Sequence, residues 1–159
     1  MRKQKIYLET TMFNYYFDVD RGIAHDSTVQ LFKEIAAGKY EAYTSRYVVD
    51  ELSNTKGDKR EKMLHLILKY DIPILEATDE AAMIAAHYVR DGIIPQKYMV
   101  DGLHIAIATV YNFDMIISMN FQHIVKRKTK IGTAHINALH GYRPVEIYTP
   151  MEVVEDGNQ

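Results

Sequence analysis

The chain has 159 residues, of which 47% are hydrophobic and 25% charged, with a formal net charge of −2. That length suits one compact domain with a single core, and the near-neutral charge excludes a globally basic nucleic-acid binder while leaving room for local basic patches. There is no cysteine, which excludes a disulfide framework, a thiolate zinc site and a cysteine nucleophile and suits a reducing cytoplasm.

The basic start, Met1 to Lys5, leads into an apolar run that Glu9 interrupts, too short for a secretory signal. No segment approaches the ~18 consecutive apolar residues of a membrane span. The expectation is a cytoplasmic protein with no membrane partner.

Ile6-Tyr7-Leu8 is a short apolar run and predicts a buried first strand, with Glu9 at its carboxyl end. Ser27 and Gln30 form a capping box for a helix carrying Leu31, Ile35 and Ala36 and stopped by Gly38. Residues 41–44 predict a second strand, and Ser45 is placed to cap a helix that holds Val48, Val49, Glu51 and Leu52. Asp58 and Glu61 predict another capped helix, through Met63, Leu64, Ile67 and Leu68.

Residues 72–75 predict a strand, at an edge because of Pro73. Helices are expected from Asp79 to near Gly92 and from about Tyr98 to Tyr111. A strongly apolar strand covers 114–118, a helix covers Thr129 to Leu139, and a last strand covers 145–148. Strands alternating with helices predict a three-layer α/β/α domain with a mainly parallel central sheet over residues 1–150, followed by a polar C-terminal tail, 151–159.

In such sheets ligands lie outside the carboxyl ends of the strands. That rule singles out Glu9, the segment 44–51, and Ser118-Met119-Asn120. No G-x-G-x-x-G, Walker loop, G-x-S-x-G elbow or H-E-x-x-H is present. What remains is a set of carboxylates. Asp101 lies in an otherwise apolar helix, where a buried carboxylate needs compensation; His104, three residues on, is expected to hydrogen-bond it. The residues alone leave two readings of Asp101 open, a metal ligand or an anion favoured at a helix start.

Four blocks, residues 6–13, 44–52, 101–108 and 114–124, resemble in order the successive blocks of a PIN domain, and residues 140–153 resemble the end of one prokaryotic subgroup. The resemblance implies a PIN-like fold and a metal-dependent ribonuclease, in many prokaryotic cases the toxin of a toxin–antitoxin pair. It places metal ligands at Glu9, Glu51 and Asp101, binding Mg²⁺ or Mn²⁺, and a fourth site residue at Asn120. Thr10 or Thr11 takes the family's Ser/Thr position. Its implied partners are single-stranded RNA, a cognate antitoxin protein and a second copy in a homodimer.

Candidate RNA contacts are Thr10, Thr11, Arg46 and the basic run Lys126, Arg127 and Lys128. Phe13, Tyr15 and Tyr16 are candidates to stack on unpaired bases. Two positions depart from the commonest family pattern: Glu9 is one methylene longer than aspartate, and Asn120 lacks a charge. The alternative reading is therefore a weakened or inactive PIN-fold module that binds RNA or protein. A phosphatase with an aspartyl nucleophile would want Asp-x-Asp where the chain has Glu9-Thr10-Thr11.

Overall fold

The computed structural model describes residues 2–155. Five parallel strands form one sheet in the order β3-β2-β1-β4-β5, with β1 at Gln4–Leu8, β2 at Tyr40–Ser45, β3 at Ile74–Leu75, β4 at Met115–Ile117 and β5 at Glu146–Tyr148. Around them lie α1 (Thr10–Tyr15), α2 (Ile23–Ala36), α3 (Arg46–Ser53), α4 (Lys59–Lys69), α5 (Asp79–Arg90), α6 (Met99–Val110), α7 (Arg127–Leu139) and α8 (Pro150–Val153). The result is the expected three-layer α/β/α architecture, with Pro73 next to the edge strand as its missing N–H demands.

β1 is held on both sides. Ile6 faces Ala42 on one neighbour and Met115 on the other, and Leu8 faces Ile117. Ile6, Tyr7, Leu8, Ile116 and Ile117 are fully buried, because strands covered by helices on both faces read as continuous apolar runs. The chain winds outward from β1 through β2 and β3, then returns to β4 on the other side of β1. This reversal is a topological switch point.

Helix boundaries differ from the sequence expectation where caps were inferred. α2 starts at Ile23, after Gly22 in a positive-φ conformation (φ 58°), so Ser27 and Gln30 lie inside it. Ser27 is buried, and Gln30 donates to Glu34. Asp58 stands at the start of α4 without a side-chain capping bond, and Glu61 pairs with Arg60 instead. In α4 the buried stripe is Met63, Leu66 and Ile67, while Leu68 is exposed. α1 has no counterpart in the expectation, being only six residues long and lacking a helical apolar repeat.

α5, α6 and α7 are joined by a buried polar cluster. The Tyr88 hydroxyl donates to Asn137 Oδ1, and Asn137 Nδ2 donates to Thr109 Oγ1 at 3.1 Å. Gly132 permits the close approach of α7, since a Cβ there would lie 2.7 Å from Ile93 Cγ1.

The expected tail begins at 151, yet the packed body continues past it. α8 packs against α2, the Tyr40 hydroxyl donates to Val153 O at 2.8 Å, and Lys39 bridges Glu34 and Glu155. The rest of that tail, 156–159, lies outside the described residues.

At the amino end of β4, Asp114 gathers four donor contacts: two from Arg2, one from the Lys5 backbone N–H and one from Arg143. The Arg2 hydrogen bond and its neighbours hold the Asp114 carboxyl far below the usual carboxylate range. Its side chain is only 10% exposed. We expect Asp114→Ala to lower stability by about 2–3 kcal/mol in urea melts at pH 7, because a charged acceptor is removed from several donors. A group with a depressed folded pKa stabilises fully above its unfolded value, roughly pH 4, and loses that contribution as pH falls further. The gap between parent and variant should therefore shrink below about pH 4; a gap unchanged at pH 2.5 would refute the assignment.

Candidate active site

The sheet brings Glu9 and the loop after β4 to the two sides of the switch point, at the carboxyl ends of the strands. Glu9 follows β1 directly, and its backbone N–H donates to Ile117 O at 3.2 Å. It also occupies the N-cap of α1. Although only 3% exposed, it is not left bare. Its Oε1 accepts from Thr11 Oγ1 at 2.6 Å, from Ser118 Oγ at 2.6 Å and from the Thr11 backbone N–H at 3.3 Å.

Glu51 arrives from α3, whose Val48 and Leu52 are buried. Its Oε1 accepts from Thr10 Oγ1 at 2.7 Å and from His104 Nε2 at 2.6 Å. His104 thus bonds Glu51 and not its expected partner Asp101. Burial pushes the Glu51 pKa up, but the hydrogen bond and charge of His104, with Thr10, outweigh it and leave the carboxyl below its ordinary value. Burial lowers His104, and the Glu51 bond with the surrounding carboxylates more than reverses this.

Asp101 sits in the first turn of α6, half-buried. Burial raises its pKa to about 6; the charges of Glu9 and Glu51 add to the rise, against His104 and the Asn120 amide. The three predicted carboxylates therefore share one electrostatic neighbourhood. Asn120 stands beside them, but its Oδ1 accepts the His123 backbone N–H at 3.0 Å and its backbone N–H donates to Ser118 Oγ at 2.9 Å. It builds the turn after β4 as well as facing Asp101.

The remaining candidates divide. Thr10 and Thr11 donate their hydroxyls to Glu51 and Glu9, so they hold the acids and are not free for RNA. Arg46 is paired with Glu76 at 2.9 Å in an exposed ion pair. Lys126, Arg127 and Lys128 are exposed and open α7. Phe13 is fully buried against Phe32 and belongs to the core, and Tyr16, partly buried, packs edge-on against Phe17, Phe32 and Tyr70. Tyr15 lies under Arg21, 5.2 Å from its guanidinium carbon. Phe121, which sequence reasoning passed over, directly follows Asn120 and is 52% exposed. His123 is buried and stacked on Tyr98 with ring centres 3.9 Å apart, and neither ring nitrogen has a partner.

Among the described residues, no group of three or more Asp, Glu, His or Cys side chains is drawn closely enough together to hold a metal ion. The donor chemistry nevertheless suits a hard cation. Glu9 and Glu51 each anchor Oε1 with protein donors, while Oε2 accepts no protein hydrogen bond, and the Glu51 side chain is part-exposed. Mg²⁺ commonly keeps several waters and uses one or two carboxylates. A hollow of about 520 Å³ lined by Ile23, Ser27, Gln30 and Met151 involves none of these acids, so concavity does not locate the site.

The raised Asp101 carboxyl makes a stability prediction. A folded pKa of about 6 lies above the unfolded value, so the native state loses stability as pH rises from roughly 4 through 6, and the cost is complete above that. In EDTA at pH 8, Asp101→Asn should stabilise the protein by on the order of 1 kcal/mol, allowing for partial exposure. The gain should fade by about pH 4. Thermal melts of both proteins across this range check it, and equal stability at pH 8 would refute it.

No family model matches the chain, and no curated protein matches it. Solved structures do. One is a chain of VapBC2 from Rickettsia felis, determined bound to a DNA fragment from their promoter: the match covers 92% of this chain and 98% of that one, with a TM-score of 0.57 and 13% sequence identity. At that identity the likeness shows the fold alone, and the fold is the PIN-like three-layer arrangement that the sequence led us to expect.

Proposed function

We propose that this protein is a divalent-metal-dependent endoribonuclease acting on single-stranded RNA. One observation carries the reading: two glutamates, each with Oε1 anchored by protein donors and no protein hydrogen bond at Oε2, flank a switch point beside an aspartate whose ionisation they oppose. Buried like charges are unfavourable unless a cation offsets them. Glu9, Glu51 and Asp101 would hold Mg²⁺ or Mn²⁺, since oxygen donors without thiolate or a histidine cluster suit these ions. Asn120 is then an outer or water-mediated ligand.

When bound, such an ion polarises the phosphate and lowers the pKa of a bound water. The chain's own groups do the rest. Asp101, in the first turn of α6 and electrostatically coupled to both glutamates, would help to hold the ion and orient the attacking water. Thr10, Thr11 and Ser118 keep the two glutamates from swinging away. Lys126, Arg127 and Lys128 stand at the positive end of the α7 dipole, where cations are disfavoured. A phosphate lying there would relieve this repulsion, which favours the basic run as the contact for RNA.

The family resemblance implies a cognate antitoxin partner, a homodimer and a cytoplasmic site of action, which belong to the same reading. No helix among the described residues is long and apolar enough to cross a membrane. The second reading, a PIN-fold module that binds without cutting, is favoured by Asn120, whose side chain supplies no charge and is engaged in the turn.

Cleavage of a labelled single-stranded RNA separates the two. We expect Mn²⁺- or Mg²⁺-dependent cutting that EDTA stops and that Asp101→Asn reduces by roughly 10²-fold or more. RNA bound but never cut by the parent would favour the binding module. Binding in a salt series tests the basic run: replacing Lys126, Arg127 and Lys128 by alanine should lower the log–log salt slope by up to about 2, at ~0.7 per phosphate contact. An unchanged slope would place the RNA elsewhere.

A further inference from the structure

We propose that His104, itself fixed by Tyr7, is the positioning residue that holds Glu51 in its metal-binding orientation; this rests on the metal site proposed above. Four hydrogen bonds form one chain through the core. Ser45 Oγ meets the Tyr7 hydroxyl at 2.7 Å, that hydroxyl meets His104 Nδ1 at 2.7 Å, His104 Nε2 meets Glu51 Oε1 at 2.6 Å, and Thr10 Oγ1 reaches the same oxygen at 2.7 Å. Tyr7, Ser45 and His104 are each 0% exposed.

The direction of the chain follows from chemistry. An ionised carboxylate only accepts, so His104 Nε2 carries the proton and donates it to Glu51. The tautomer is therefore set at the Glu51 end, and the ring is kept from rotating by Tyr7 at the other. The Tyr7 ring also packs against His104, with centroids 5.8 Å apart, and Tyr47 meets the far side edge-on at 6.4 Å. With Oε1 tied twice, Glu51 presents Oε2.

Each contributing segment repeats the same plan. β1 supplies Tyr7, and Glu9 follows two residues later, just past the strand's end. α6 supplies Asp101 and, one turn later, His104. The end of β2 supplies Ser45, and α3 after it supplies Glu51. An inner tier of fully buried donors and acceptors thus underlies an outer tier of acids. Ser45 shows that the inner tier has its own demands. It occupies the N-cap of α3 yet makes no side-chain capping bond, because its hydroxyl is turned to Tyr7.

Mn²⁺ binding by electron paramagnetic resonance, with folding followed by circular dichroism, tests the proposal without any cleavage assay. We expect His104→Phe, which keeps a planar ring but removes the donor, to weaken Mn²⁺ binding by about 10–100-fold, as loss of a ligand's outer partner generally does. Tyr7→Phe should weaken it less, and His104→Gln, which can still donate to Glu51, should recover part of the loss. Folded variants that bind Mn²⁺ like the parent overturn the positioning role alone. A parent that fails to bind Mn²⁺ overturns the metal-site reading and the positioning role with it. Should His104→Phe not fold, histidine ¹⁵N–¹H spectra of the parent and of Glu51→Gln decide. A solvent-protected low-field Nε2–H proton that moves upfield in Glu51→Gln supports the bond; its absence from the parent refutes it.

Discussion

A strand paired in parallel on both sides cannot slip without breaking two ladders at once, and a slip of one residue would turn its side chains to the opposite faces. β1 is such a strand, locked between β2 and β4. What this fixes is larger than the strand. Glu9 must emerge at the carboxyl edge of the sheet, beside Ser118 just after β4 and within reach of the helices that follow β2 and precede β4. The acidic cluster is thus a consequence of register and strand order, and depends little on the length or composition of the loops.

The cluster is also where favourable folding gives way. Elsewhere among the described residues buried polar groups satisfy one another, as Tyr88, Asn137 and Thr109 do. Around the switch point, carboxylates oppose one another, and burial sets itself against the charge on Asp101. The surrounding hydroxyls and the single imidazole tie each glutamate by one oxygen and leave the other uncommitted. Local conflict of this kind, with like charges held near one another, is the usual mark of a functional site.

Much of this was readable from residue order. Apolar runs at 6–8 and 114–118 predict buried strands, Pro73 predicts an edge, and a carboxylate just after an apolar strand predicts an acid at the sheet's rim. The parts that were not readable share a cause, which is competition for the same side chain. Ser45 has a capping position but is taken by Tyr7. Ser27 has a capping pattern but lies inside a helix that begins four residues earlier, after Gly22. His104 has the spacing to meet Asp101 within its own helix, yet Glu51, arriving from another segment, is the partner. Such choices are settled by contacts between segments far apart in sequence, which local spacing does not encode. The same holds for Phe13 and Tyr16, whose rings reach Phe32 from another helix.

Phe121 has a practical consequence. It is half exposed, adjoins Asn120 at the lip of the acidic cluster, and belongs to a chain that contains no tryptophan. An indole introduced at that position would be the sole one in the molecule, so its emission could be excited apart from the twelve tyrosines. The cluster therefore comes with a natural place for an optical reporter, one able to register arrivals at the site in real time.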